Sequence, residues 1–271
     1  MMIANISRCG LVLAVLVTLS PIQALADDIA NFEDVQFGAN LGMSYSSGNY
    51  GLSDTTRVML GLASVSAATG DFKFTASMPY ISMTGHGLVV FDASGNAIVI
   101  NRRAAMADGQ RTGWGDLNIS ASYTVPAVLL DGFAVRITGE TKLPTAPARH
   151  RLSTGKTDFG GSLDVSKQFG LWTPFITIGY LDRGQPKGFG LSNTTSMSAG
   201  TSLELSNDLV AIASYDYDSP DSPHVRAGHE LFSSLSWLRP NGFTLTGYGS
   251  VGLSAGAPNV GCGFMISYAF N

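Results

Sequence analysis

Over run after run of about ten residues this chain alternates apolar side chains with small or polar ones, and no apolar run beyond residue 26 approaches the roughly 18 residues of a membrane helix. A strand sends successive side chains to opposite faces, so a period of two marks a sheet with two different environments. Val35, Phe37, Ala39, Leu41, Met43 and Tyr45 share one face, and Gln36, Gly38, Asn40, Gly42 and Ser44 share the other. Phe72, Phe74, Ala76, Met78 and Tyr80 repeat the pattern against Lys73, Thr75 and Ser77. It recurs at Leu117, Ile119, Ala121, Tyr123 and Val125. From Phe133 to Leu143 the apolar set opposes Arg136, Thr138, Glu140 and Lys142. Further strands are expected near 57–66, 157–167, 174–181, 195–205, 209–217, 230–237, 243–251 and 260–270, twelve in all.

The alternation needs a fold with an apolar exterior. Charged residues make up only 13% of the chain against a usual quarter or so, and Gly is 32 of 271, above the average of about 7%. A soluble sandwich also has many short strands, but it would carry polar residues on its outward face. A sheet in lipid must pair every backbone N–H and C=O, so it must close on itself. The expected fold is therefore all-β: a transmembrane antiparallel β-barrel of about twelve strands. Connections alternate in length, with short ones near 67–70, 126–132, 168–172, 206–208 and 238–242, and long ones near 46–56, 82–113, 144–156, 182–194, 218–229 and 252–259. That is the arrangement of short periplasmic turns and long outer loops, with both ends of the barrel in the periplasm. Tyr45, Tyr80, Tyr123, Trp172, Tyr180 and Trp237 fall near strand ends, where interfacial aromatic girdles sit.

Residues 1–26 read as a cleaved secretory signal peptide, with Arg8 in the positive region, an apolar run from Leu11 to Leu19, and Ala24-Leu25-Ala26 before Asp27. Residues 27–271 would then form the barrel, exported to a bacterial outer membrane. Removal of Arg8 leaves 15 basic residues against 20 acidic ones, with no basic cluster for phosphate backbones, so nucleic acid is not an expected partner. Removal of Cys9 leaves Cys262 without a partner and excludes a disulfide scaffold.

The last strand, VGCGFMISYAFN, places Val260, Cys262, Phe264, Ile266, Tyr268 and Phe270 on one face. It is similar to the carboxyl-terminal strand of outer-membrane proteins, which implies recognition by the barrel-insertion machinery through Tyr268 and Phe270. Asn271, one residue past the phenylalanine, departs from that pattern. Four segments in order resemble the family of outer-membrane transporters that includes proteins of the meta-pathway of phenol degradation. They are GWGDLNISASYTV from Gly113, TGETKLPTA from Thr138, STGKTDFGGSLDVSKQFGLWTPFITIGY from Ser153 and LTGYGSVGLSAGAPNVGCGFMISYAF from Leu245. The resemblance implies a barrel that passes small compounds, aromatic or hydrophobic ones among them, with no catalytic motif and no cofactor.

Lys73, Arg136, Glu140, Lys142, Asp158, Asp164 and Glu204 fall on the inward face and are the expected lumen lining, which would sort a small-molecule permeant by charge. The alternative is cross-strand pairing that holds a narrow barrel together. The loop LPTAPARHRLSTGKTD gathers Arg149, His150, Arg151 and Lys156, a basic cluster suited to lipopolysaccharide phosphates or anionic solutes, or simply to solvent. Its Gly-Lys-Thr lacks the spacing of a phosphate-binding loop. Two other function classes are open: a hydrolase using a rim histidine among His86, His150, His224 and His229, and a non-conducting structural barrel. Asp216, Asp218, Asp221, His224, His229 and Glu230 form the nearest catalytic constellation, but their spacing is loose for a Ca²⁺ site, and no metal is expected. Between residues 82 and 113, two apolar runs flanking Asp92 to Asn96 read as a hairpin.

Overall fold

A computed structural model describes residues 35–49, 55–85, 88–91, 97–100, 109–126, 130–150, 152–186, 190–221 and 226–270. The expected leader at 1–26 and Asn271 lie outside the described residues. The strands are β1 (Gln36–Gly48), β2 (Thr56–Thr69), β3 (Phe72–Gly85), β4 (Leu88–Phe91), β5 (Ala97–Ile100), β6 (Gly109–Trp114), β7 (Leu117–Val125) and β8 (Phe133–Leu143). They continue as β9 (Asp158–Lys167), β10 (Trp172–Asp182), β11 (Thr194–Ser206), β12 (Leu209–Asp218), β13 (Gly228–Leu238), β14 (Phe243–Gly252) and β15 (Val260–Phe270). Each strand of the main sheet pairs antiparallel with its neighbours, and β1 pairs with β15 from Phe37↔Phe270 to Ser47↔Val260, which closes the ring. Thirteen strands make the sheet; β6 and β7 share one position beside β3, so the barrel has twelve staves.

The exterior is the apolar parity read from the sequence. Phe37, Leu41, Val65, Phe74, Ile137, Phe159, Ile176, Ile178, Leu245, Phe264 and Ile266 all point outward and are exposed. A soluble wall would expose polar residues at these places, so the band fits acyl chains. Aromatic pairs border it on both sides. At the short-turn rim, Phe72 stacks on Tyr123 at 4.9 Å and Phe243 on Tyr268 at 4.5 Å. At the long-loop rim, Tyr80 meets Trp114 edge-on at 5.1 Å. Such pairs add about 0.5–1.5 kcal/mol each beyond the area they bury. Cys262 is exposed on the same outer face, between Gly249 and Tyr45 of the flanking strands.

The short turns are made tight by residues at positive φ: Gly70 (53°), Gly132 (79°), Gly170 (63°) and Gly242 (83°). In the turn between β11 and β12, Ser206 Oγ donates to Asp208 at 2.6 Å and Trp237 Nε1 donates at 3.1 Å. These two bonds, from Ser206 first and then Trp237, hold the Asp208 carboxyl below the usual carboxylate range.

One stave is not regular. Tyr80 faces Trp114 and Ser77 faces Asn118, so two residues on β3 oppose three on the β6–β7 stave, which is a bulge. Pro79 sits there. Its carbonyl accepts from Gly115 N at 2.8 Å, and its missing N–H points the same way, so it cannot complete the ladder on that side. A Cβ on Gly115 would lie 2.8 Å from the Pro79 ring and 3.0 Å from Ile81, so only glycine fits. The extra residue shifts the phase, and Asp116 is buried in the interior instead of facing lipid. The sequence reading began this stave at Leu117; β6 extends it toward the long-loop rim. β4 and β5 form the expected hairpin, paired from Leu88↔Ile100 to Phe91↔Ala97, with its tip at 92–96 outside the described residues.

Two outcomes follow. Ile176→Arg places a guanidinium in the lipid band and should cost about 2–4 kcal/mol in urea unfolding from liposomes, whereas inward Ser202→Arg should cost less than about 1. The stabilisation held by Asp208 is full above the ordinary carboxylate pKa and lost as pH falls through its lowered one. In a chain with Trp114 and Trp172 replaced by Phe, Trp237 emission should therefore titrate in acid, and Asp208→Asn should abolish that step.

Candidate functional site

The inward faces divide the interior into two zones. Toward the short-turn rim, Lys73, Thr75, Ser77, Ser120, Ser122, Arg136, Thr138, Ser162 and Asp164 are half-exposed and form a hydroxyl-rich, charged strip up β3, β7, β8 and β9. Arg136 Nε donates to Thr124 Oγ1 at 3.3 Å, and Thr177 Oγ1 donates to Asp164 at 2.6 Å. Asp164 is the register partner of Arg136 across β8 and β9. On β10 to β15 the inward face mixes buried apolar or aromatic side chains, Phe175, Ile212, Phe232, Tyr248 and Met265, with buried polar ones, among them Ser198, Ser214, Asp216, Ser234 and Thr246. The Phe175 ring lies against Gly200, and the Tyr248 ring against Gly263. The interior thus sets the aromatic rings of β10, β13 and β14 among hydroxyls and carboxylates.

Toward the long-loop rim the interior is filled. Lys142 Nζ lies 2.8 Å from Asp158 Oδ2 and 3.5 Å from Asp116 Oδ2, and it donates to Thr154 Oγ1 at 3.1 Å. Lys142 and Asp158 are each 1% exposed. Neutral donors add to the pairing of this cation with the two carboxylates. Ala146 N donates to Asp116 at 2.9 Å, Ser153 Oγ donates to the same carboxylate, and Gly184 N donates to Asp158 at 3.0 Å. The β8–β9 connection is thereby drawn into the mouth, where Leu152 is 1% exposed and His150 rests against Gly113. Val58, Leu60, Ile81 and Met83 are buried on the inner faces of β2 and β3.

The expected lining residues therefore occupy three settings. Lys73, Arg136, Glu140 and Asp164 line the half-exposed interior, with Glu140 laid flat over Gly160. Lys142 and Asp158 are locked in the buried ion pair. Glu204 is exposed at the short-turn rim, beside a register irregularity and 3.3 Å from Gln168 Nε2. Asp116, the residue that completes the buried cluster, was not among them. Its signal is a break in period two: two residues separate outward Trp114 from outward Leu117.

Among the described residues, the hydrolase constellation does not gather on one side of the wall. Asp216, Asp218 and Glu230 point inward and are buried, while His229 points outward against Tyr215 (2.5 Å, Oη to Nδ1) and the Tyr217 ring. Asp216 is held by Ser198 and Ser214 hydroxyls. His86 and His224 lie outside the described residues. Among the described residues no group of three or more His, Cys, Asp or Glu is arranged to hold a metal ion.

No family model matches the chain, and no curated protein matches it. Solved structures do. The COG4313 outer membrane channel from Pseudomonas putida F1 superposes with a TM-score of 0.68 at 11% identity, over 90% of this chain and 100% of that one. The NanC porin superposes with a TM-score of 0.53 at 15% identity, over 86% of this chain and 99% of that one. At such identities the likeness establishes the fold.

Lys142→Met strands two buried carboxylates and should destabilise the barrel by roughly 3–5 kcal/mol in denaturant titration. Adding Asp116→Asn and Asp158→Asn to the same chain should restore a large part. A single variant as stable as the parent would show that the cluster does not hold the mouth.

Proposed function

We propose that this chain is an outer-membrane channel for small molecules, with amphiphilic aromatic compounds as its preferred class. The observation that carries the reading is the half-exposed strip of Lys73, Arg136, Asp164 and neighbouring hydroxyls inside a closed barrel that also holds the inward rings of Phe175, Phe232 and Tyr248. A ring can pack on those side chains while its polar substituent exchanges hydrogen bonds with the strip, and contacts that exchange in this way suit passage. Support comes from the overlap with a protein named as an outer membrane channel, over that protein's whole length. The resemblance of the Gly113, Thr138, Ser153 and Leu245 segments to a phenol-pathway transporter family points the same way.

The same reading assigns residues 1–26 as the export leader, Tyr268 and Phe270 as the elements read by the insertion machinery, and lipid and lipopolysaccharide as the surroundings of the apolar band. It makes the rim with short turns periplasmic. A second reading, a non-conducting structural barrel, is favoured by the buried outer half around Lys142 and Leu152.

Purified protein in a planar bilayer separates the two. A channel should give ohmic steps, and it should admit an aromatic carboxylate such as benzoate into liposomes faster than protein-free vesicles do. Lys73→Glu with Arg136→Glu reverses two charges of the strip and should move the reversal potential in a salt gradient toward cation preference. Absence of both conductance and solute entry would leave the structural reading standing.

A further inference from the structure

We infer that the β8–β9 connection is a releasable plug, which shuts the outer mouth by lying against the inner face of the wall and must lift away before solute passes. The inference rests on the channel reading above and adds how that channel is closed.

The connection runs inside the rim. Trp114 is exposed on the outer face, so its neighbour Gly113 on β6 faces inward. A Cβ built on Gly113 would stand 3.0 Å from the His150 ring, which puts the one-turn helix Ala148–His150 against the inner surface there. On either side of that turn, Ala146 N and Ser153 Oγ donate to the buried Asp116. Thr145 Oγ1 accepts from Leu117 N at 2.9 Å, and Thr154 Oγ1 accepts from Lys142 Nζ at 3.1 Å.

What holds this segment differs from what holds the wall. Asp116, Lys142 and Asp158 are carried by the strands and their ends, and their ion pairs do not depend on the loop. To that cluster Ala146, Ser153 and Thr154 add neutral hydrogen bonds, which water can replace once the mouth is wet. Rehydration of the uncovered ammonium and carboxylates offsets part of the loss. Leu152 is the large apolar side chain that the loop buries, whereas Pro144, Thr145, Ala148, Arg149 and Lys156 are exposed. Near its end Gly155 has φ 67°, and no described atom lies within 4 Å of its Cβ position.

The β14–β15 connection is built in the opposite way. A Cβ on Gly252 would strike the Pro258 carbonyl, and one on Gly256 would strike the carbonyls of Arg226 and Ala227 from the neighbouring loop. That loop is wedged by backbone packing, while the β8–β9 loop is held by exchangeable hydrogen bonds and one apolar side chain. The second kind of attachment opens locally while the sheet stays intact.

The test locks and frees the plug in one molecule. The Cβ position at 113 is 3.0 Å from His150 Cγ, so Gly113→Cys with His150→Cys brings two thiols within disulfide reach. Cys262→Ser removes the exposed native thiol. In planar bilayers the oxidised pair is expected to be silent, and dithiothreitol should bring ohmic steps, whereas His150→Cys alone should not respond to the reductant. Leu152→Ser leaves the cluster of the wall in place and should raise the open fraction roughly tenfold over the parent. Asp116→Ala should act in the same direction, and heat-modifiable migration checks that each barrel is folded. Equal conductance of the oxidised and reduced pair overturns the plug, as does an unchanged open fraction in both Leu152→Ser and Asp116→Ala. A chain with 146–153 replaced by a Gly-Ser linker then separates the two readings. Ohmic steps from it leave a channel that this loop does not gate, and silence removes the channel reading as well.

Discussion

A polypeptide in lipid has no solvent to satisfy its backbone, and each unpaired N–H or C=O there costs several kcal/mol. The pairing of β1 with β15 meets this constraint: it removes the two edges that a sheet of this length would otherwise expose. Once the ring is closed, each residue between the rims must face either acyl chains or the interior, and the period of two follows. Low charge, small inward residues and aromatic borders are the chemical record of that division.

The interior obeys a second rule, because polar groups taken from water must find partners inside. Near the short-turn rim the strip of hydroxyls and charges remains half-exposed and keeps much of its hydration. Near the other rim Lys142, Asp116 and Asp158 are cut off from water, and they are tolerated because each meets an opposite charge together with neutral donors. The bulge opposite Pro79 is what makes this possible. Without the extra residue, Asp116 would face lipid, and the β8–β9 connection would lose its anchor.

Much of this was legible in the residues. The outward parity of Phe133 to Leu143 and of Val260 to Phe270 is as the alternation implied, because the contrast between lipid and interior acts on each strand locally. The alternating connection lengths carried the count of twelve for the same reason. The sequence was less informative where two distant segments decide the outcome. Asp116 turns inward at a bulge opposite Pro79; the break in period two between Trp114 and Leu117 marks the irregularity, but the strand that it faces lies outside that segment. Lys142 has the parity of a lining residue, but the loop that covers it makes it a clamp. His229 and Glu230 are adjacent in sequence and were read together, although a strand puts them on opposite sides of the wall.

The pairing of Phe37 with Phe270 also brings the two ends of the sheet side by side at one rim. The ring therefore has no inherent first stave. Linking those ends and opening the chain within the 183–193 connection would preserve every strand pair while changing the order in which the strands are synthesised. The folded barrel would be indifferent to that change. Its order of assembly would differ, since β15 would then be made before β1 rather than after it. Circular permutation of this architecture thus separates what the finished sheet requires from what its order of synthesis supplies.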